Sequence, residues 1–162
     1  MASKIKELLR QTDNVLIFDI DGVLAVQEWG EYNHFDLTDN EWSIMAATQS
    51  NFYTKEYVSP KMQDYLKDKD KSRTYVISKS YTKNEDESKA YFANTFYGIP
   101  RENIIMVRDD AAKVDKLIEI MKKYPDLPRY KIIMIEDTVR VLNDVREKTN
   151  CATVHISSFL DL

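Results

Sequence analysis

Cysteine, glycine and proline are all scarce in this chain, and each scarcity excludes something. A single cysteine, Cys151, cannot form an internal disulfide; it reads as a small buried hydrophobe and fits a reducing cytoplasm. Three glycines and four prolines in 162 residues leave no Pro/Gly/Ser linker, and no internal repeat is present. One domain spanning 1–162 is therefore expected, long enough to bury a core. No apolar run approaches the roughly 20 residues that cross a bilayer, and Met1 to Arg10 alternates charge with Ile and Leu instead of forming a signal-peptide core. No membrane partner follows. With a formal net charge of -4, the chain has no basic field for gripping nucleic acid non-specifically.

What is present begins at Val15. Val15-Leu16-Ile17-Phe18 runs without polar alternation into Asp19, and Asp21-Gly22 follows two residues later. An unbroken apolar run suits a strand covered on both faces, the habit of a parallel sheet. Its carboxylates then fall at the C-terminal strand end, where open α/β sheets bind ligands. Two aspartates so close need a shared cation or proton, which points to a hard divalent metal or to acid/base work. Asp21-Gly22 between β-branched flanks also fits a two-residue hairpin turn. An EF-hand loop does not fit, because the glycine stands at the fourth position and not the sixth.

The rest of the chain decides against the hairpin. Ser3 can cap a helix carrying Ile5, Leu8, Leu9 and Thr12 ahead of the first strand. An insert over residues 25–58 scatters Trp29, Tyr32, His34, Phe35, Trp42, Phe52, Tyr53 and Tyr57 among polar residues. In it, Thr38 and Glu41 form a capping box for one short helix. The default for these aromatics is a hydrophobic cluster under a loop, with stacking on a base or sugar as the alternative. Ser59-Pro60 opens another helix. Strands are expected at Thr74–Ser78, Asn103–Val107, Lys131–Ile135 and Ala152–Ile156. Between them come a helix capped by Thr82 and Glu85 and stopped near Gly98, one carrying Val114, Leu117, Ile118 and Met121, and one carrying Val139, Leu142 and Val145. Strands alternating with such helices mean βαβ units. The expected fold is a three-layer, Rossmann-like α/β architecture with a parallel sheet of about five strands.

Right-handed crossovers place the polar strand ends along one sheet edge. Asp19, Asp21, Ser78, Lys113, Glu136 and Asp137 collect there. Carboxylates to hold Mg²⁺, an ammonium to neutralise phosphate oxygens and a hydroxyl to donate to them fit metal-assisted phosphoryl transfer. Lys116 competes with Lys113; the buried face at Leu117 and Ile118 favours Lys113 at an exposed helix start. Arg108, Asp109 and Asp110 either line the crevice or cap the following helix. His34 reads as solvated and His155 as structural.

Asp19-Ile20-Asp21-Gly22-Val23, then Ser78, Lys113 and Glu136-Asp137, in that order, resemble the four motifs of the haloacid dehalogenase-like (HAD) phosphohydrolases. The resemblance covers the core and leaves the 25–58 insert aside. It implies Asp19 as the nucleophile that forms an aspartyl-phosphate, and Asp21 as acid and base with its carbonyl on Mg²⁺. It implies Ser78 and Lys113 on the phosphoryl group, and Glu136 with Asp137 completing the metal site beside Asp19. Val141 and Leu142 stand where many members carry a further Asp. The insert amounts to a minimal cap, which in this family goes with an open site. That site would take a large or nucleic-acid-derived phosphorylated substrate, or be closed by a second subunit in a homo-oligomer. The expected activity is a cytoplasmic Mg²⁺-dependent phosphatase. The alternatives are a nucleotide or polynucleotide-end phosphatase and a catalytically silent HAD-like binding module. A receiver domain has its phosphoacceptor and lysine in a different order.

Overall fold

A computed structural model describes residues 4–26 and 37–160. Ser3, Trp29, Tyr32, His34 and Phe35, on which expectations were placed, lie outside them. Helix α1 (Lys4–Arg10) leads into strand β1 (Val15–Phe18), and α2 (Asp39–Thr48) fills part of the insert between the short strands β2 (Ala25–Val26) and β3 (Tyr57–Val58). Then follow α3 (Pro60–Lys67), β4 (Thr74–Lys79), α4 (Lys83–Tyr97), β5 (Ile104–Val107), α5 (Asp110–Met121), β6 (Ile132–Glu136), α6 (Val139–Thr149) and β7 (Ala152–His155). Five strands form one parallel sheet in the order β5-β4-β1-β6-β7. This is the three-layer, Rossmann-like α/β fold expected.

β1 is the middle strand and is buried throughout. Its side chains alternate between two cores. Leu16 and Phe18 pack with Leu9, Met62, Leu66, Phe92 and Ala93 from α1, α3 and α4. Val15 and Ile17 pack with Val114, Leu117, Val141 and Val145 from α5 and α6. The insert joins the first core through Ala46, Phe52 and Tyr53.

The local signals mostly hold. Thr38 and Glu41 close a full capping box on α2, Ser59 caps α3 with Pro60 just inside it, and Gly98 ends α4 at φ +67°. Asn103 and Lys131 lie in 3₁₀ turns ahead of their strands, and Ile156 opens a 3₁₀ turn after β7. The second capping box is only half made. Glu85 N–H donates to Thr82 Oγ1 at 3.1 Å, but the Glu85 carboxylate accepts from Tyr81 N–H, because its other oxygen is held by buried Lys89.

Asp21-Gly22 is not a hairpin turn between sheet strands, since β1 lies between β4 and β6. After β1 the chain coils tightly: Ile20 C=O accepts from the N–H groups of Val23, Leu24 and Ala25. It then pairs antiparallel, β2 with β3. Two-residue strands carry no periodicity, and that ribbon was not expected.

Candidate functional site

The order in which the chain adds strands reverses between β1 and β6. From β1 the chain steps outward to β4 and β5, then returns to β6 and β7 on the other side. Open α/β sheets bind ligands at this switch point, beyond the strand C-termini. Asp19 follows β1 there and Asp137 follows β6, and Asp19 N–H still donates to Ile135 C=O at 3.1 Å, so the two ends stay side by side.

Lys113, in the first turns of α5, comes down between them. Its ammonium lies 2.9 Å from Asp19 Oδ2 and 2.8 Å from Glu136 Oε2. Lys113 is buried, not exposed as expected, its ammonium enclosed between Asp19 and Glu136. Lys116 points to the surface and pairs with Glu119.

Glu136 is fully buried, and both its oxygens are engaged. Oε2 takes Lys113, and Oε1 accepts from the N–H groups of Asp137 and Thr138, each at 3.2 Å. Burial first, and the Asp19 charge second, push its carboxyl from an ordinary 4.5 up to about 9, against the pull of Lys113. The same two carboxylates hold the Lys113 ammonium well above its usual range despite its burial. Asp19, Glu136 and Asp137 each bring a carboxylate oxygen within 4.8 Å of the others, and Asp137 is exposed to the cleft.

Gly22 lets Asp137 approach. Its φ is +72°, and a Cβ there would stand 2.3 Å from Asp137 Oδ2. From the far side His155 steadies the same loop. Its Nδ1 accepts from Ser157 N–H, which assigns the proton to Nε2, and Nε2–H donates to Asp137 C=O at 2.9 Å. The structural role expected of His155 is thus served at the site's edge.

Asp21 faces the cleft from the other flank. Lys89 Nζ lies 2.7 Å from Asp21 Oδ2, and the Tyr53 hydroxyl donates to Oδ1 at 2.5 Å. Lys89 is itself buried on α4 beside Glu85 at 2.9 Å, and its ammonium also donates to Lys79 C=O. Neither Lys89 nor Tyr53 was expected at the site. A signal existed for Lys89: Glu85, Ser88, Lys89, Phe92 and Ala93 share the buried stripe of α4, so the stripe carries charge where it should be apolar. Nothing comparable marked Tyr53, which sits in a 3₁₀ turn of the insert.

The cleft has a volume of about 280 Å³. Asp19, Asp21, Glu85, Asp110 and Asp137 line it against Lys79, Lys89 and Lys113, with Trp42, Tyr81 and Thr138 completing the wall. Ser78 is not among these residues. It is fully buried at the end of β4, its Oγ without a hydrogen-bond partner among the described residues, while its neighbour Lys79 reaches the cleft. Asp109 caps α5 through Ala112 N–H at 2.8 Å, and Arg108 is drawn to Asp86 and Ser80, so of that trio Asp110 alone lines the cleft. Trp42 packs edge-on against Phe52 and Tyr53, the hydrophobic cluster expected, and also forms part of the cleft wall.

No protein-family model matches the chain, and no curated protein matches it either. Among solved structures it is similar to DsGPDH of Dunaliella salina, a glycerol-3-phosphate dehydrogenase, at 17% identity and a TM-score of 0.55. The likeness covers 94% of this chain and 25% of that one, so this chain spans about a quarter of the other's length. At that identity the likeness is one of fold.

Proposed function

We propose that this chain is a Mg²⁺-dependent phosphohydrolase of the HAD type, cleaving phosphate monoesters through an aspartyl-phosphate on Asp19. The observation that carries this is the convergence of Asp19, Glu136 and Asp137 at the switch point, with Lys113 bridging the first two. Asp110 is held by Arg140 at 2.6 Å and Asp21 by Lys89 at 2.7 Å, whereas Asp137 lines the cleft with no ion pair among the described residues, which leaves room for a hard cation beside it. Asp19 and Asp137 are the residues that would hold Mg²⁺. Glu136 lies behind them as the buried member of the cluster, its oxygens accepting from Lys113 and from the Asp137 and Thr138 N–H groups. When bound, Mg²⁺ supplies charge neutralisation and orientation of phosphoryl oxygens.

The residues divide the work as follows. An Asp19 oxygen attacks phosphorus, the bond to the leaving oxygen breaks, and that oxygen takes a proton from Asp21. Water then attacks the aspartyl-phosphate, gives its proton back to Asp21, and the bond to Asp19 breaks. Splitting one hard displacement this way is the use of covalent catalysis. Lys113 has three donors and spends two on Asp19 and Glu136, which leaves one for a phosphoryl oxygen.

A volume of about 280 Å³ holds a phosphoryl group and its immediate attachments, at the small end of ligand pockets, so the body of a larger substrate stays outside. That fits the open site of a minimal cap. A dinucleotide dehydrogenase is a poorer fit, because the turn after β1 carries Asp19 and Asp21 where a pyrophosphate needs a glycine-rich loop. The test is phosphate release from phosphorylated sugars, nucleotides and 3′- or 5′-phosphorylated oligonucleotides with Mg²⁺. Asp19→Asn is expected to abolish turnover; turnover surviving in that variant would remove Asp19 as the nucleophile. The oligonucleotide arm distinguishes a polynucleotide-end phosphatase from one acting on small esters.

A further inference from the structure

We infer that the insert acts on the chemistry through Tyr53, which together with Lys89 is a positioning device for Asp21. This rests on the phosphohydrolase reading and assigns to it two residues that the motif pattern does not contain. Lys89 is 1% exposed, and its ammonium meets three acceptors: Asp21 Oδ2, Glu85 Oε1 and Lys79 C=O. An ammonium has three donors and no acceptor, so Lys89 is saturated within the protein. Lys113 retains a donor for substrate and Lys89 does not. Its whole directing capacity falls on protein groups, and of the two carboxylates among them Asp21 is the one open to the cleft, at 32% against 2% for Glu85.

Tyr53 completes the hold. Its ring is fully buried against Phe92, Phe52 and Trp42, its backbone N–H donates to Ser88 Oγ at 2.9 Å, and its hydroxyl reaches the Asp21 oxygen that Lys89 does not. Both oxygens of Asp21 are thereby fixed, one from α4 and one from the insert, while about a third of the side chain stays open to the cleft. The polar stripe Glu85-Ser88-Lys89 on α4 thus docks the insert and aims Asp21 together. Proton transfer needs its carboxylate within hydrogen-bond reach of the leaving oxygen. Rotation of Asp21 about its side-chain bonds loses that reach, and these two contacts oppose the rotation.

The test is a leaving-group comparison. Lys89→Met strands Glu85 in the interior and risks the fold, so the informative variant is Tyr53→Phe, which removes one hydroxyl and keeps the ring. kcat/KM is measured for p-nitrophenyl phosphate, whose leaving group needs no proton, and for an alkyl phosphate, whose leaving group does. We expect the alkyl ester to lose about tenfold or more in Tyr53→Phe, a fraction of what a general acid contributes, with p-nitrophenyl phosphate little changed. The ratio of the two is unaffected by the fraction of folded enzyme, so a merely structural role for the hydroxyl leaves it unmoved. A ratio equal to that of the unmodified protein overturns the positioning role and leaves the phosphohydrolase reading standing. Absence of turnover on both esters in the unmodified protein, with Mg²⁺ present, overturns both.

Discussion

Gly22 ties backbone conformation to the placement of the Asp137 carboxylate at the scale of a single residue. Its φ is left-handed at +72°, and a Cβ added there would meet Asp137 Oδ2 at 2.3 Å, so Gly22→Ala must move the carboxylate or the loop. The expected outcome is a stability cost of roughly 1–2 kcal/mol and a Mg²⁺ affinity weakened by about tenfold or more, as for loss of a ligand's support. Isothermal titration with Mg²⁺ reads the second effect, and an unchanged affinity would remove Asp137 from the metal site. Asp19, Asp21, Glu136 and Asp137 were legible because carboxylates at the ends of apolar strands are visible in a string of letters. Lys113 was legible for a wrong reason, as it is buried and not exposed. Tyr53 was not legible, since an irregular turn has no period from which to read the direction of a side chain. Ser78 was found at its strand end, yet pleating sends it into the interior on the side of Val76 while Lys79 turns toward the cleft.

Elements are held to one another around the cleft by polar staples as well as by the two cores. Arg108, just past β5, makes a paired contact with Asp86 in the first turn of α4, at 2.7 and 2.6 Å, and also donates to Ser80. The Arg108 hydrogen bond holds the Asp86 carboxyl below its usual range, with Ser80 assisting. A carboxyl depressed in the folded state contributes stability above its unfolded pKa and loses it as pH falls through the folded one. Arg108→Gln is therefore expected to cost about 0.5–1 kcal/mol near pH 7, the modest value of a half-exposed pair screened by solvent. The difference should fade as pH falls below the ordinary carboxylate range and the folded-state carboxylate takes up its proton. Urea unfolding at several pH values checks this; a cost independent of pH would make it a packing effect of the arginine stem. Caps such as Thr38, Ser59 and Gly98 were readable because they depend on a few adjacent residues. The β2–β3 ribbon was not, because it pairs residue 25 with residue 58 through strands too short to show alternation.

A cation held by the Asp19–Glu136–Asp137 cluster would couple its binding to folding across the whole molecule, since that cluster exists only when β1 and β6 are adjacent. A ligand that binds only the folded state stabilises it by about 2.7 kcal/mol at a hundredfold excess over Kd. Mg²⁺ is accordingly expected to raise the unfolding midpoint by several degrees, and Asp137→Asn to abolish that rise without Mg²⁺ destabilising the variant. Differential scanning calorimetry with Mg²⁺ and with a chelator makes the comparison. An equal midpoint in both would count against a cation in this cleft.

The placement of β1 between β4 and β6 also governs how the chain comes off the ribosome. Val15 pairs with Ile132, so the central strand is synthesised more than a hundred residues ahead of one of its two flanks. At roughly 5–20 residues per second, β1 waits on the order of ten seconds for that neighbour. Through that interval Val15 to Phe18 present an apolar ladder open along one edge, the kind of surface that pairs with other chains. A nascent chain halted before residue 132 therefore carries Asp19 without Glu136 or Asp137, its acidic cluster unassembled and its central apolar strand unguarded on one side.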